Sequence, residues 1–381
     1  MTIGILGGGQ LGYMLALAGY PLGLRFRFLD PSPEAPVGRI AHRVTAEYTD
    51  KQALEKFAHG LELVTYEFEN VPVQAARFLA GRVPVFPPPA ALEEAQDRLR
   101  EKKLFQRLGI PMTEFAEIAK EEEFNLAVKQ VGLPAVLKTC RMGYDGKGQL
   151  LLRTHEDVEK ALGELPTTMP LVLEKFVPFT REVSILGVRS RSGEIAFYPL
   201  VENHHRDGIL RLSLAPAPRL SGSLQQSAEE AARKVLETLD YAGVICLEFF
   251  ELEGKLLANE MAPRVHNSGH WTIEGAVTSQ FENHLRAVLG LPLGSTLAVG
   301  YSTMVNLIGE LPEAEQVLQV ENAHLHLYGK TPRARRKLGH VTVRADQWEK
   351  LQDRLNQLPA FFQRPEFCLQ QALKGTFANR A

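Results

Sequence analysis

A predicted hairpin with two facing acids is the feature that most constrains the fold. Residues 243–261 contain two apolar strands joined through Glu253 and Gly254, a sequence typical of a tight turn. If the turn is centred near Gly254, Glu248 and Glu260 are equidistant from it and face each other across the ladder. Like charges at opposite positions destabilise a sheet, so the pair requires a cation between the carboxylates, and such oxygen ligands suit magnesium. The alternative is a register shifted by one residue, in which one acid points to solvent.

A polar stretch follows this hairpin directly. Residues 259–271 read Asn-Glu-Met-Ala-Pro-Arg-Val-His-Asn-Ser-Gly-His-Trp, which combines a carboxylate, a guanidinium, two imidazoles and small hydrogen-bonding groups. Crowding so many polar groups together is costly unless they converge on a polar ligand. This stretch is therefore the first candidate for the active site.

Composition argues against several classes of partner. A chain of 381 residues is longer than one core usually supports, which predicts two or three domains. Lys and Arg number 43 against 45 for Asp and Glu, so no overall field favours nucleic acid or an anionic membrane, and we expect neither as a partner. No signal peptide or apolar run of membrane-spanning length is evident in the sequence. Cys140, Cys246 and Cys368 lack metal-type spacing and the even count of a disulfide scaffold, which predicts a cytoplasmic location.

The first hundred residues predict an open α/β domain with a glycine turn. An apolar strand over residues 2–6 leads into Gly-Gly-Gly-Gln-Leu-Gly at 7–12, then a helix over 11–18 and a second strand over 24–29 that ends at Asp30. This order matches a dinucleotide-binding fingerprint. Two alternatives stay open: the turn only lets strand and helix pack closely, or its N–H groups hold a substrate phosphate.

A further strand, within residues 61–70, carries two acids at its carboxyl end. Ligands of open α/β sheets lie beyond the carboxyl ends of the strands, so Glu67 is placed to touch a substrate. The alternative is a solvated strand end. The stiff Phe-Pro-Pro-Pro at 86–89 suits a boundary, and an amphipathic helix is predicted over 91–108.

The middle third carries the strongest phosphate signal. The apolar strand over residues 134–138 ends in Lys138, a glycine-rich loop follows at 141–148, and a strand over 149–152 returns. A lysine below and flexible backbone N–H groups above can hold nucleotide phosphates. The loop is no Walker A motif, because that motif runs into a helix. A flexible surface hairpin is the alternative.

Two strands that follow the loop could contact the adenine and the ribose of a nucleotide. Residues 171–177 predict an edge-like strand whose backbone can offer hydrogen bonds to an adenine base. Glu182 then opens a strand over 182–188, where a carboxylate can accept from both ribose hydroxyls.

Taken in order, these motifs resemble the ATP-grasp superfamily, and within it the family of 5-(carboxyamino)imidazole ribonucleotide synthases. The resemblance covers nearly the whole chain and rests on residues 7–12, 143–149, 205–210 and 259–271. It implies an α/β and α+β fold with three parts. These are an N-terminal Rossmann-like, pre-ATP-grasp domain (1–98), an ATP-grasp domain (99–292, lid about 115–176) and a small C-terminal β-rich domain (293–381).

The resemblance also implies the reaction. It is the carboxylation of 5-aminoimidazole ribonucleotide with ATP and bicarbonate, through carboxyphosphate, to give 5-(carboxyamino)imidazole ribonucleotide, ADP and phosphate in de novo purine biosynthesis. Such an enzyme is an ATP-dependent carbon–nitrogen ligase that uses ATP and Mg²⁺. The family is commonly dimeric, which implies a homodimer here.

Site residues carried over from the family fall into groups. The nucleotide group is Arg98, Lys138, Gly143, Tyr144, Asp145, Gly146, Lys147, Gly148, Glu174, Lys175, Phe176, Val177, Glu182, His205, Asn259 and Glu260. The substrate group is Gln10, Leu11, Glu67, Tyr144, Arg264, His266, Asn267, Ser268, Lys330, Arg336 and Lys337. The metal ligands are Glu248 and Glu260.

The catalytic group implied by the family is Arg264, His266, Asp145, Lys147 and Asn267. The planar guanidinium of Arg264 fits the charge on the transferring phosphoryl group and on carboxyphosphate. His266 and Asn267 would orient bicarbonate or the aminoimidazole. Asp145 is a candidate acceptor of the amine proton, and capping of its loop is the alternative role.

A basic run supplies the expected clamp for the ribonucleotide phosphate. In the family a lysine and an Arg-Lys pair close over this phosphate, and here they match Lys330, Arg336 and Lys337. A basic run is more often a solvated face or a nucleic-acid patch, and this is the alternative interpretation. The chain departs from the family pattern at Met142, before the Gly-Tyr-Asp segment, and at residues 332–335, so the arginine that binds the phosphate is open.

Three rival functions are distinguishable from this one. A nicotinamide dehydrogenase would use the glycine turn but leaves the two hairpin acids unexplained. A formate-dependent ribonucleotide transformylase shares the nucleotide half of the site and differs at the acceptor. An RNA-binding module would use the basic run at 330–337, against the overall charge balance.

Overall fold

The computed structural model describes residues 1–141, 143, 148–164 and 170–374, and its first part is an open α/β domain. Its main elements are β1 (Thr2–Leu6), α1 (Gln10–Gly19), β2 (Arg25–Asp30), β3 (His42–Thr45), α2 (Lys51–Ala58), β4 (Leu63–Tyr66) and α3 (Val73–Ala80). The parallel strands lie in the order β3-β2-β1-β4. β1 and β4 are apolar and almost fully buried, as parallel strands between helices are. Their carboxyl ends bring the glycine turn beside Asp30 and Glu67.

The single helix predicted over residues 91–108 is wrong, because two helices occupy this segment. They are α4 (Pro89–Ala95) and α5 (Arg98–Arg107). Asp97 stops the first and caps the second, since its side chain accepts from the backbone N–H groups of Leu99 and Arg100. The break directs the start of α5 towards the carboxyl end of the hairpin, where Arg98 meets Glu260.

A small antiparallel sheet occupies the segment predicted to be a lid. Its elements are β5 (Phe115–Ile118), α6 (Phe124–Val131), β6 (Ala135–Thr139), β7 (Gln149–Leu152), α7 (His155–Glu164) and β8 (Leu171–Lys175). The strand order is β5-β8-β6-β7, so β8 is an interior strand and the prediction of an edge-like strand is wrong. The reason lies in Leu171, Val172 and Leu173, which are buried between neighbouring strands and the lid helices.

One large sheet forms the body of the molecule. Its first half contains β9 (Arg181–Arg189), β10 (Ile195–Phe197), β11 (Val201–Arg206), β12 (Ile209–Ala215), α8 (Gly222–Thr238), β13 (Gly243–Leu252), β14 (Lys255–Ala262), α9 (Thr272–Gly275) and α10 (Gln280–Leu289). Its second half contains β15 (Tyr301–Ile308), α11 (Ala314–Leu318), β16 (Ala323–Leu327), β17 (Lys337–Ala345), α12 (Trp348–Asn356) and α13 (Leu369–Lys374). The strand order is β14-β13-β9-β11-β12-β15-β17-β16, and β10 pairs with β9.

The two halves of this sheet are joined by hydrogen bonds between β12 and β15. The predicted hairpin therefore lies at one edge, and β17, the strand that follows the basic run, lies next to the strand at the other edge. Domain boundaries at 98/99 and 292/293 stay predictions. Within the described residues, no helix combines the length and the apolar character needed to cross a membrane.

Candidate active site

A cavity of about 1070 Å³ lies where the N-terminal sheet, the lid sheet and the large sheet meet. The predicted site residues that line it are Gln10, Leu11, Glu67, Arg98, Lys138, Gly143, Glu174, Lys175, Phe176, Val177, Glu182, His205, Glu248, Asn259, Glu260, Arg264, His266, Asn267, Lys330, Arg336 and Lys337. Ser268 is buried behind the lining, and Gly148 packs against Thr139 instead. The predicted residues that fall outside the described part of the chain are Met142, Tyr144, Asp145, Gly146 and Lys147.

The two hairpin acids face each other, as predicted, but the register contains a β-bulge. Leu252 pairs with Lys255 at the turn, and an uninterrupted ladder from there would set Glu248 opposite Asn259. A bulge between Glu248 and Phe249 adds one residue on β14, so Glu248 pairs with Glu260. The bulge therefore brings the acids together and leaves Asn259 beside them.

The group formed by Glu248, Asn259 and Glu260 offers oxygen ligands that fit a magnesium ion. Among the described residues, the buried Asn259 Oδ1 has no hydrogen-bond partner. Burial raises the pKa of Glu248 to about 7, and the charge of Glu260 adds to the rise. A largely buried acid, a second acid open to the cavity and an unpaired amide oxygen form a donor set that a hard divalent cation would satisfy.

Cationic side chains surround the same acids. The Arg98 guanidinium lies 3.0 Å from Glu260 Oε2, and His205 Nδ1 lies 3.0 Å from Glu182 Oε2. Burial favours the neutral imidazole, but the charges of Glu182 and Glu248 override it and raise the pKa of His205 to about 9. His205 is therefore a cation at neutral pH, and its contact with Glu182 ties β11 to β9 below the cavity.

Lys138 shares a buried carboxylate with a second lysine that the sequence analysis missed. Glu174 Oε2 lies 3.1 Å from Lys138 Nζ and 3.0 Å from Lys102 Nζ. Burial alone would raise the pKa of Glu174, but the two ammonium groups lower it to about 2. Glu174 was predicted to line the adenine, whereas here its carboxylate holds the lysine proposed for phosphate.

Helix α5 supplies two groups that were not predicted, Glu101 and Lys102, beside the predicted Arg98. Arg98, Glu101 and Lys102 recur at i, i+3 and i+4, which is the spacing of one helix face. Glu101 accepts from the Met261 backbone N–H at 2.6 Å, and burial raises the pKa of Glu101 to about 8. Polar residues at core-facing positions of a predicted helix were the signal that could have found them.

The segment predicted to meet adenine has already used two of its donors. The Lys175 backbone N–H donates to the Glu114 carbonyl at 2.9 Å, and the Phe176 N–H donates to the Pro134 carbonyl at 3.1 Å. A base in this part of the cavity must therefore take its hydrogen bonds from other groups. Phe179 and Phe250, stacked with ring centroids 4.7 Å apart, line the cavity as well.

The glycine turn of the N-terminal domain binds carboxylates of the protein itself. The Gly8 N–H donates to Asp30 at 2.6 Å, while the N–H groups of Gly9, Leu11 and Gly12 donate to Glu67 at 2.8–3.1 Å. The anion-binding end of α1 is thus filled by Glu67. These contacts favour the interpretation in which the turn serves the packing of strand and helix, and a role for its N–H groups in binding a substrate phosphate stays a prediction.

Arg264 is held by an acid from the other side of the cavity. Its Nε donates to Glu69, and its Nη1 donates to the Val265 carbonyl at 3.0 Å. Burial alone would raise the pKa of Glu69, but the charge of Arg264 lowers it. The planar guanidinium is therefore fixed at the cavity wall. Glu69 is the second acid noted at the end of β4, and its partner could not be read from the sequence.

Buried amides hold the loop that follows β14. The Gln280 side chain accepts from the His266 backbone N–H at 2.9 Å and donates to the His266 carbonyl at 2.7 Å. Asn306 and Asn267 exchange two amide hydrogen bonds of 2.9 and 3.0 Å. Burial and then the charge of Arg264 lower the pKa of His266 well below its usual value, so this imidazole is neutral. Gln280 and Asn306 were not predicted, since long-range partners leave no local signal.

The basic run reaches the cavity from the large sheet. Lys330 donates to Gln10, and burial lowers the pKa of Lys330 to about 8. The Arg336 side chain donates to the Thr331 carbonyl at 3.2 Å. Arg335 adopts a left-handed backbone with φ of 63° and donates to the Asp207 carbonyl at 3.1 Å. Lys330 therefore lies at the end of the cavity nearest the glycine turn, and Arg336 lines the same cavity, whereas residues 331–335 are exposed.

Three protein-family models match the chain. A ribonucleotide synthetase preATP-grasp domain matches residues 1–96, an ATP-grasp domain matches 103–281, and a phosphoribosylaminoimidazole carboxylase C-terminal domain matches 302–354.

Curated and solved relatives agree with these matches. An N5-carboxyaminoimidazole ribonucleotide synthase of Pseudomonas aeruginosa is 52% identical over 363 residues, which cover 95% of this chain and 100% of the relative. The crystal structure of the N5-carboxyaminoimidazole ribonucleotide synthetase from Thermus thermophilus is 62% identical, with a TM-score of 0.90 over 93% of this chain and 97% of that one. A synthase of Aspergillus clavatus, solved with ADP and 5-aminoimidazole ribonucleotide, is 32% identical, with a TM-score of 0.87 over 98% of this chain and 99% of that one.

Proposed function

The chain belongs to the family of N5-carboxyaminoimidazole ribonucleotide synthases, ATP-grasp ligases of purine biosynthesis, and from this premise we propose its reaction and the roles of its residues. The reaction is the carboxylation of 5-aminoimidazole ribonucleotide with ATP and bicarbonate, through carboxyphosphate. One observation carries the proposal: a single cavity holds Lys138, the hairpin acids and Arg264 with His266. Phosphoryl transfer to bicarbonate needs these groups together.

The nucleotide end of the cavity, defined here by Arg98, Lys102, Lys138 and Glu174, would bind ATP. Lys138 would turn its ammonium to the phosphates while Lys102 keeps the charge of Glu174 compensated. His205, protonated at neutral pH, adds a further cation beside Glu182.

Glu248, Glu260 and Asn259 would hold Mg²⁺, which supplies charge compensation for the phosphates when bound. The residues themselves would bind the metal and orient the ATP phosphates. Arg98, now on Glu260, is placed to contact phosphate oxygens once the acids have a metal partner.

The chemical step would proceed as follows. An oxygen of bicarbonate attacks the terminal phosphorus of ATP, the bond to the bridging oxygen of ADP breaks, and carboxyphosphate forms. The exocyclic amine then attacks the carboxyl carbon of carboxyphosphate. A carbon–nitrogen bond forms, phosphate leaves, and the amine loses a proton. Arg264 stabilises the oxyanion, and the neutral His266 with Asn267 orients the carboxyl group. Roles for Asp145 and Lys147 in proton transfer stay predictions outside the described residues.

The acceptor end of the cavity, defined by Glu67, Glu69, Arg264 and Lys330, would bind the ribonucleotide. Lys330, Arg336 and Lys337 would close over its phosphate. Gln10, Leu11 and Ser268 would complete the pocket around the sugar and base. A homodimer and a cytoplasmic location also remain proposals, and light scattering of the purified protein tests the first.

An isotope experiment tests the chemistry. If bicarbonate oxygen attacks phosphorus, ¹⁸O from labelled bicarbonate appears in inorganic phosphate, because cleavage of carboxyphosphate leaves the bridging oxygen on phosphorus. Phosphate release should also require the aminoimidazole ribonucleotide, since an unprotected carboxyphosphate would be lost to water. Unlabelled phosphate during genuine turnover contradicts the mechanism. Turnover with formate in place of bicarbonate favours the transformylase rival.

A further inference from the structure

A thiol lies directly beneath the hairpin acids, and the reaction proposed above gives it no role. Cys246 occupies β13 two residues before Glu248, so both side chains project from the same face of the strand. One ligand atom each from Cys246, Glu248 and His266 lies within 4.8 Å of the other two. Cys246 is fully buried, whereas Glu248 and His266 line the cavity. A cation that enters the cavity would therefore meet the carboxylate and imidazole first and the thiol at their base.

The geometry suits a small tetrahedral ion. His266 Nε2 and Glu248 Oε1 are 3.3 Å apart. Two ligands at the usual zinc distances, about 2.0–2.2 Å from the metal, are separated by about 3.3–3.6 Å in a tetrahedron. The thiol closes a third corner, and the cavity leaves the fourth open to water.

Hydrogen bonds behind the ligands hold them in place. Ser268 Oγ lies 2.9 Å from His266 Nδ1 and 3.8 Å from Cys246 Sγ, and it accepts from the Ser184 hydroxyl at 2.8 Å. The Ser268 backbone N–H donates to His266 Nδ1 at 3.3 Å, which places the imidazole hydrogen on Nε2. Metal at Nε2 requires the other tautomer, in which Nδ1–H donates to Ser268 Oγ and the Ser268 backbone N–H gives up its bond to Nδ1. Ligating histidines commonly have such a partner on the second nitrogen.

We propose that Cys246, Glu248 and His266 form a binding site for a thiophilic divalent cation, with zinc as the fitting ion. Sulfur and nitrogen ligands favour Zn²⁺ over Mg²⁺, which prefers oxygen. On binding, the thiol releases its proton to solvent and its sulfur bonds to the metal. The imidazole moves its hydrogen from Nε2 to Nδ1 and stays neutral. No redox step is involved.

Zinc at this site would inhibit the enzyme. It would withdraw Glu248 from magnesium and His266 from the carboxyl group, so turnover stops while the fold is kept. This consequence rests on the proposed function, whereas metal binding itself does not.

Cobalt is the probe for the site, because thiolate ligation to Co²⁺ gives a charge-transfer band in the near ultraviolet. The chelator-treated full chain is titrated with Co²⁺ without ATP, and Zn²⁺ is then added to displace it. The band should appear in the wild type and in Cys140→Ser, which alters a thiol that lines the cavity, and should be absent in Cys246→Ser. No band in the wild type, or a band that survives in Cys246→Ser, overturns the proposal.

X-ray absorption of the zinc-loaded wild type gives a second measurement that needs no variant. One sulfur at about 2.3 Å with nitrogen and oxygen at about 2.0–2.2 Å is expected. A zinc shell without sulfur refutes the site, even if Cys246→Ser fails to fold.

Zinc inhibition of turnover is tested in a separate experiment. The zinc concentration that halves magnesium-supported turnover should rise at least about tenfold in Cys246→Ser and stay unchanged in Cys140→Ser. Equal inhibition of Cys246→Ser and wild type would place inhibitory zinc elsewhere. A wild type with the cobalt band but without the proposed turnover would refute the proposed function and keep the metal site.

Discussion

The two ends of the cavity use their charges differently. At the nucleotide end, the single carboxylate of Glu174 is shared by Lys102 and Lys138, so cations outnumber ionised acids within this contact. At the acceptor end, Arg264 is matched one-to-one by Glu69. A site with surplus positive charge is prepared for a polyphosphate before it arrives. A cation that is already matched by an acid, as Arg264 is, can bind a substrate anion only in competition with that acid.

The same contrast separates the two phosphate-binding motifs that the sequence predicts, and the ligand of each motif stays a prediction. A lysine at the end of an apolar strand could only face the cavity, and Lys138 does so. The glycine turn has the same local chemistry, but Glu67 from a distant strand fills it. Local motifs show which donors exist, and long-range packing decides whether they are free.

The largest expected effect is at the hairpin. Glu260→Gln should lower turnover at least about 10³-fold, about 4 kcal/mol of transition-state stabilisation, because the amide removes the charge that holds magnesium. Steady-state kinetics at saturating Mg²⁺ measures the change. The exposed Glu253→Gln in the turn of the same hairpin is the matched control and should be silent. Near-normal activity of Glu260→Gln at high magnesium would sink the metal assignment, while retained ADP binding and thermal stability would show that the fold is intact.

A pair of variants tests whether the two ends are separate. Lys138→Ala should raise the Michaelis constant for ATP, and Arg336→Ala that for the ribonucleotide, each by about thirtyfold or about 2 kcal/mol, since each removes the charge partner of a different phosphate. Lys129→Ala, an exposed lysine of the lid, controls for loss of charge.

The proposed division fails if each variant also weakens binding of the other substrate. If both variants weaken both substrates equally, the division between ends is wrong. Arg333→Ala identifies which arginine of the basic run binds the phosphate, because its effect should be smaller than that of Arg336→Ala.

Much of the fold was predictable because it is local. The strands at residues 2–6 and 149–152 were predicted within a residue, since apolar runs bounded by glycine or proline mark strands. The break between α4 and α5 was missed because the apolar pattern continues through it, and only the capping of α5 by Asp97 interrupts the helix. The interior position of β8 was missed because strand order depends on packing.

Prediction of the site was likewise limited to features that depend on local sequence. The facing of Glu248 and Glu260 was predicted from symmetry about the turn, although a bulge at Asn259 was needed to achieve it. Gln280 and Asn306 escaped prediction because an amide that holds a loop from a distant element has no sequence signature. The lid residues at 144–147 stay predictions.

The glycine turn gives a stability test of the acceptor end. Glu67→Gln should lower the free energy of unfolding by about 2 kcal/mol, because the neutral amide cannot accept as strongly from three backbone N–H groups and presents donors to them. Urea unfolding measures the change, with the exposed Glu62→Gln as the control. An unchanged stability would mean that the turn does not depend on its internal anion, which would favour the substrate-phosphate interpretation of the turn.

The smallest expected effect is the pH dependence contributed by His205 at the nucleotide end. Its pKa is about 9 in the folded protein against an ordinary value of 6.5. Because the folded pKa is raised, the stabilisation is fully present below about pH 6.5 and is lost as pH rises through about 9. Between about pH 7.5 and 9.5 the wild type should lose about 1–2 kcal/mol of stability that His205→Gln does not lose. Urea unfolding across this range measures the difference, and the exposed His324→Gln controls for loss of an imidazole. Parallel curves for wild type and His205→Gln would show that the imidazole is not held as a cation by Glu182, and the nucleotide end would then be less positive than its contacts imply.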